Sequence, residues 1–186
     1  MEETELIRRM KAGDPAAFDA LYERYSKSLF RTACLICGNP DDAEDVLQET
    51  FVTCVLHIGE LRREESFRYW IFRILTRHAR KLVREKGFSI PTSEIEEEAD
   101  RSQVLLGDAG SGIDGLLERR VLEDALAALS PGQREVIVLY YYQDMSVREI
   151  ASVLRIFEGT VKSRLHAGRK VLKSALQDAE EGKNGK

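Results

Sequence analysis

Ser146-Val-Arg-Glu-Ile-Ala-Ser-Val-Leu-Arg-Ile-Phe-Glu-Gly-Thr-Val-Lys-Ser-Arg-Leu-His-Ala-Gly-Arg-Lys170 reads as two short helices separated by a tight turn. Ser146 followed three residues later by Glu149 is a capping-box start. Val147, Ile150, Ala151 and Leu154 then recur at helical spacing, with small Ala151 where a second helix can cross closely. The pattern stops at Arg155-Ile156-Phe157 and resumes with Val161, Leu165, Gly168 and Leu172 on one face of a second helix. The other face of that helix carries Lys162, His166, Arg169 and Lys173, with Ser163 beside them. Between Ser146 and Ser174 seven basic residues stand against two acidic ones. The second helix is thus apolar inside and basic outside, which is what reading a major groove requires. A helical hairpin with a merely solvated charged face is the alternative. The cap, the small crossing residue and the one-sided basic stripe coincide, and together they favour a helix-turn-helix.

The same segregation of charge runs through the whole chain. Its 186 residues fit one large or two small domains, and its net charge of −4 does not by itself mark a polyanion binder. From Arg62 to Lys86, however, nine basic residues face three acids, whereas Ser89 to Glu118 holds eight acids and one arginine. A chain built this way can meet nucleic acid with two basic patches and keep a negative strap between them. No run approaches the length of a membrane span and the acidic N-terminus is unlike a signal peptide, so the expected location is cytoplasmic. Cys34-Leu-Ile-Cys37, with Cys54 or His57, offers part of a metal site. No second Cys or His pair completes a zinc pattern, and the three thiols suit small fillers of a helical core. No cofactor motif is present.

In chain order, the spacing predicts a helix from near Thr4. A second, capped by Asp14 with Pro15 first, carries Phe18, Leu21, Tyr25, Leu29 and Ala33 and ends at Gly38. Asn39-Pro40 restarts the chain into a helix whose inner face is Ala43, Val46, Leu47, Thr50, Phe51, Cys54 and Val55. Its outer face, Asp41, Glu44, Asp45, Gln48 and Glu49, is acidic, which fits a solvated face or a dock for a basic partner protein. A helix over Ser66 to Lys86 buries Phe67, Trp70, Ile71, Ile74, Leu75 and Leu82. Arg73, Arg77, Arg80 and Arg84 form a second stripe on it, with Lys81 beside them and Trp70 at the border, where a Trp either stacks on an unpaired base or simply closes the rim of the core. Residues 89–115 lack an apolar period and mark a linker between domains 1–88 and 116–180; the polar end, 181–186, is expected to be a disordered tail. Ser130-Pro131-Gly132-Gln133 opens a helix with a capping box, whose Val136, Ile137, Tyr140 and Tyr141 face inward.

Four stretches together resemble one family. They are Asp42-Ala-Glu-Asp-Val-Leu-Gln-Glu-Thr-Phe51, Ser66-Phe-Arg-Tyr-Trp-Ile-Phe-Arg-Ile74, Leu129-Ser-Pro-Gly-Gln-Arg-Glu-Val136 and Gly159-Thr-Val-Lys-Ser-Arg-Leu165. In this order, around an acidic linker, they are similar to bacterial RNA polymerase sigma factors of the extracytoplasmic-function group. The resemblance implies an all-α fold of two helical domains and a non-enzymatic role in promoter-specific initiation as an alternative, stress- or envelope-responsive factor. It implies that the helix bearing Asp42, Asp45, Gln48 and Glu49 docks on the clamp helices of the polymerase β′ subunit, with a further contact to the β flap. Arg62, Arg63, Trp70, Arg73, Arg77, Arg80, Lys81 and Arg84 would open the −10 element and hold its non-template strand, with the Leu61–Glu65 loop taking a flipped base. The linker would thread the RNA exit channel. Lys162, Ser163, Arg164, His166, Arg169, Lys170 and Lys173 would lie on the −35 element, the first two and His166 at base-reading positions. An anti-sigma factor would complete the set of partners.

The chain departs from the family pattern at places that bear on promoter preference. Arg77 and Lys81 stand where Asn and Asp are usual, Arg155-Ile156-Phe157 replaces Gly-Ile-Ser, and Ala167-Gly168 replaces Arg and Ala. The turn thereby loses a residue suited to positive φ and a capping Ser. These changes imply an altered −35 specificity or a weaker reader. A stand-alone helix-turn-helix regulator is the rival reading; it accounts for the C-terminal motif and leaves the acidic helix, the basic helix and the strap unexplained.

Overall fold

The computed structural model describes residues 2–86 and 122–184, with side chains up to 177. The linker expected over 89–115 and the second domain's start at 116 lie outside the described residues. Everything regular among those described is helical: α1 (Glu3–Lys11), α2 (Pro15–Cys37), α3 (Pro40–His57) and α4 (Phe67–Glu85), then α5 (Pro131–Tyr141), α6 (Val147–Leu154) and α7 (Glu158–Asn184). Residues 122–127 are also helical, and two 3-10 turns, Ile58–Glu60 and Glu64–Ser66, link α3 to α4. None of these helices is long and apolar enough to cross a membrane. α7 runs to Asn184, through most of the stretch where the sequence predicts a frayed tail.

Local chemistry sets most helix ends. Asp14 accepts the N–H of Ala16 with Pro15 behind it, and Asn39 accepts those of Asp41 and Asp42 with Pro40 behind it. Gly38 closes α2 in the left-handed conformation at φ 75°. Ser130 with Gln133 and Ser146 with Glu149 form complete capping boxes. The N-terminal core lies where α2, α3 and α4 meet, around Leu21, Leu29, Val46, Phe51, Phe67, Ile71 and Leu75. The C-terminal core gathers Leu129, Val136, Leu139, Met145, Ile150, Leu154, Val161 and Leu165 between α5, α6 and α7. These cores are not separate. α4 packs on α6 and α2 on α5, so the buried apolar side chains form one continuous cluster.

Between α6 and α7 the chain turns through Arg155, which sits at φ 54°, ψ 48°. A side chain there costs ~1–2 kcal/mol, because Cβ crowds the following carbonyl. Glycine removes that cost but frees the unfolded chain, at a loss of ~0.4–1 kcal/mol. Arg155→Gly is therefore expected to stabilise the protein by about 1 kcal/mol, read as a rise in Tm of roughly 2–4 °C for a chain of this size. An unchanged or lower Tm would show that the Arg155 side chain offsets its own strain.

Candidate nucleic-acid interface and docking face

The helix-turn-helix presents one open basic face. Val161, Leu165 and Gly168 turn α7 inward, leaving Lys162, Ser163, His166, Lys170 and Lys173 exposed. Lys162, Ser163 and His166 fall within little more than one helical turn, so they share a face. Gly168 has a structural reason: a Cβ there would stand 2.9 Å from Ile137 Cγ1, so glycine lets α7 seat closely on α5. Two expected members of the face are engaged elsewhere. Arg164 is half-buried over the first turn of α5, its guanidinium carbon 2.9 Å from where a Gly132 Cβ would be. Arg169 Nε donates to Tyr141 Oη at 2.7 Å, and its guanidinium lies 5.3 and 5.6 Å from the ring centres of Tyr140 and Tyr141. Tyr141, expected inside, is exposed and serves this clamp. Arg164's position was legible: two residues from Lys162 is about 200° around a helix.

On α4 the basic stripe is divided. Arg77, Lys81 and Arg84 are exposed, as are Arg62 and Arg63 on the loop before it. That loop is pinned to α1, since Lys11 Nζ donates to Leu61 O and to Glu64 Oε1, each at 2.7 Å, which holds the Glu64 carboxyl below its ordinary range. Trp70 is half-buried at the stripe's edge, its ring tilted against Phe67. Arg73 and Arg80, expected to face nucleic acid, are held by the C-terminal half. Arg80 Nε and Nη2 donate to Glu135 Oε1 and Oε2 at 2.7 and 2.8 Å, a fork-to-fork pair that raises the Arg80 pKa. Arg73 Nη2 donates to Ser152 O and Oγ at 3.1 and 3.2 Å. Burial, and then the charge of Arg155, lower its pKa.

The rest of this clasp was not read from the sequence at all. Tyr69 Oη donates to Glu149, Arg68 Nη2 to Gln143 O at 2.6 Å, and Gln143 Nε2 to Thr32 Oγ1 at 2.7 Å. Ser28 Oγ donates to Gln143 Oε1 at 3.2 Å. Arg134, whose pKa burial pushes down to about 10, donates to Leu126 O at 2.8 Å and to Ile36 O at 3.4 Å. One signal for the clasp was present. Val136-Ile-Val-Leu139 is apolar around more than one helix face, and such a helix is covered on more than one side.

The acidic face of α3 holds in part. Asp45, Gln48 and Glu49 are exposed, but Asp42 is turned inward, 7% exposed, and accepts Lys86 Nζ. It belongs to the α3–α4 seam rather than to the outer face. Val55, expected inside, is 49% exposed, beside Val52 at 54% and Leu56 at 73%. Val55 lies seven residues beyond Gln48, hence on the same stripe. The outer face is therefore acidic at its start and apolar at its end. Cys34, Cys37 and Cys54 have their thiol pKa values pushed by burial up to about 12, so they stay protonated and weakly reactive. Among the described residues no group of three or more His, Cys, Asp or Glu could hold a metal ion.

Comparison with known proteins agrees over both halves. The pattern of sigma-70 region 2 matches residues 21–88, and that of sigma-70, region 4 matches residues 119–172. The ECF RNA polymerase sigma factor SigL of Mycobacterium tuberculosis is 34% identical over 170 residues, covering 90% of this chain and 93% of SigL. SigW of Bacillus subtilis, likewise an ECF RNA polymerase sigma factor, is 29% identical over 181 residues, covering 92% and 95%. Among solved structures, CnrH in complex with the cytosolic domain of CnrY has a TM-score of 0.70 at 28% identity, covering 95% of this chain and 97% of CnrH. The sigma factor RpoE in complex with the anti-sigma factor NepR from Bartonella quintana, at a TM-score of 0.63 and 24% identity over 85% of this chain, shares the fold.

The pair of Arg80 with nearly buried Glu135 should show as energetic coupling. In a cycle of Arg80→Ala, Glu135→Ala and the double variant, unfolding free energies are expected to depart from additivity by ~1–3 kcal/mol. Additive losses would mean that the two charges do not hold the halves together.

Proposed function

This chain belongs to the extracytoplasmic-function group of sigma-70 factors, and on that premise we propose that its clasped form must open before both of its basic faces can reach promoter DNA. As a sigma factor it binds core RNA polymerase and directs promoter-specific initiation. Sigma factors are non-catalytic initiation factors, and we assign this chain no reaction of its own. We place its work in the cytoplasm.

The single observation behind the opening step is that α5 and α6 hold Arg73 and Arg80. The −10 and −35 elements lie about 25 base pairs apart, which at ~3.4 Å per pair is roughly 85 Å. A compact chain of this length is only about 40 Å across. The two faces therefore cannot read both elements while the clasp holds. Residues 87–121 connect the halves, and thirty-five residues reach about 115 Å when extended. That length spans the promoter.

In this reading residues 1–88 form region 2, 89–115 the acidic strap through the exit channel, and 116–180 region 4. Arg62, Arg63, Arg77, Lys81 and Arg84 meet the −10 strand first, and Arg73 and Arg80 join them on opening, with Trp70 as the stacking edge. Lys162, Ser163 and His166 read the −35 element, while Lys170, Lys173 and Arg169 reach phosphate. Asp45, Gln48 and Glu49, extended by Val52, Val55 and Leu56, dock on the clamp helices. This stripe is open in the clasped form, so docking can precede opening. CnrH, similar across nearly the whole chain, was captured with the cytosolic domain of CnrY. That likeness supports an anti-sigma partner for this chain. A stand-alone regulator has no use for the α3 stripe.

Run-off transcription with core polymerase on a library of promoters tests the function. Specific starts that vanish without this protein are expected, and their absence would reject it. Asp45→Lys with Glu49→Lys should leave helicity unchanged and weaken core binding by tenfold or more, as like charges then face each other and repel. Unchanged affinity in a pull-down would move docking off α3.

A further inference from the structure

Among the described residues the side chain of Phe157 stands out by its exposure. It is 86% exposed, more than any other described large apolar residue. Its ring stacks on no other ring or cation among the described residues. Phe157 O accepts the N–H groups of Thr160 at 2.9 Å and Val161 at 3.1 Å, so Phe157 is the residue that starts α7. A starting residue of Ser, Thr, Asn or Asp would satisfy a free N–H with its side chain, for a gain of ~1 kcal/mol. Phenylalanine cannot. The chain forgoes a cap and exposes a ring at the same place.

We propose that Phe157 is a specificity-determining residue that reads the 5-methyl group of a thymine in the −35 element. This rests on the assignment of α7 as the −35 reader. Recognition helices enter the major groove with their N-terminal end, where Phe157 sits. The apolar group that a base offers in that groove is the thymine methyl, and a phenylalanine ring is among the side chains that meet it. Lys162 is five residues further along, ~7.5 Å at the helical rise, or about two base steps from the pair that Phe157 addresses. The surroundings suit DNA better than an acid-seeking protein partner: Arg155 before it and Lys162 after it in the chain are both exposed, against the one exposed acid Glu158. Ser would cap the helix but could not discriminate thymine by its methyl. Phenylalanine exchanges the cap for that contact.

The test uses holoenzyme made from the full chain and core polymerase. A −35 sequence is first selected from a randomised segment, and each of its thymines, on either strand, is then replaced by deoxyuridine. That change removes one methyl and leaves every hydrogen-bonding group in place. One position is expected to weaken binding by about fourfold, the value of burying one methyl-sized group. Phe157→Ser, which supplies a cap and should fold at least as well, is expected to bind thymine and deoxyuridine equally at that position. It should keep the preferences at the positions set by Lys162 and His166. The proposal is overturned if no thymine is selected, if no deoxyuridine costs affinity, or if Phe157→Ser retains the same penalty. It is also overturned if Phe157→Ser lowers affinity for core polymerase while leaving −35 preference intact, since the ring then serves a protein contact. A wild-type holoenzyme with no −35 preference at all would reject the assignment of α7 itself, a result distinct from these.

Discussion

The ion pair between Arg80 and Glu135 is the constraint on which the closed molecule turns. Glu135 is 2% exposed, and a carboxylate so deep is tolerated only when its oxygens are met. Arg80 meets both, and it comes from the other half of the chain. A forked guanidinium on two oxygens is also how arginine holds phosphate. The Glu135 carboxylate thus occupies on α4 the chemistry that a DNA strand would use. For the halves to part, water must reach Glu135 as it releases Arg80, since a carboxylate left buried and unmet is costly.

The remaining contacts fit a joint that opens. Gln143 is satisfied by Thr32 and Ser28, and Arg68 and Arg73 donate to backbone carbonyls. Such bonds exchange for bonds to water at a modest net cost of ~0.5–1.5 kcal/mol each. The apolar part of the interface is continuous with both cores, so the closed form is more than a loose encounter. For the proposed opening, polymerase and DNA must supply enough binding energy to exceed the sum. The α3 stripe and the open arginines of α4 offer a first foothold for that.

What was legible in the sequence follows from how local each cause is. Asp14-Pro15, Asn39-Pro40, Ser130 with Gln133, Ser146 with Glu149 and the left-handed Gly38 all set helix ends through contacts within four residues, and each stands in the structure as the spacing predicts. The candidate site was legible where the helical angle alone decides. Lys162, Ser163 and His166 come out exposed for that reason, and Arg164 and Val55 were misplaced where that angle was not followed through. Contacts between distant residues had no such signature. Asp42 turns inward because Lys86, at the far end of α4, reaches it, and Arg80, its side chain still 43% exposed, is engaged because Glu135 of α5 meets it. A basic stripe reads the same whether its partner is DNA or a carboxylate on the same chain.

The departures from the family pattern in the last two helices now separate by physical effect. Gly168 forgoes about 1 kcal/mol of helix propensity, and in return α7 approaches Ile137 to a distance that a Cβ would forbid. Arg164 over Gly132 and Arg169 between Tyr140 and Tyr141 then grip α7 on its two flanks. Three contacts at different angles around one helix leave it little freedom to rotate. The direction in which Lys162, Ser163 and His166 face is therefore set by α5, and not by the turn that precedes α7. That is why the turn can carry a strained Arg155 and an uncapped Phe157 without disordering the reading face. With orientation fixed from behind, the front end of the helix is free to vary, and on the proposed reading variation there changes what is read more than how firmly the helix is held.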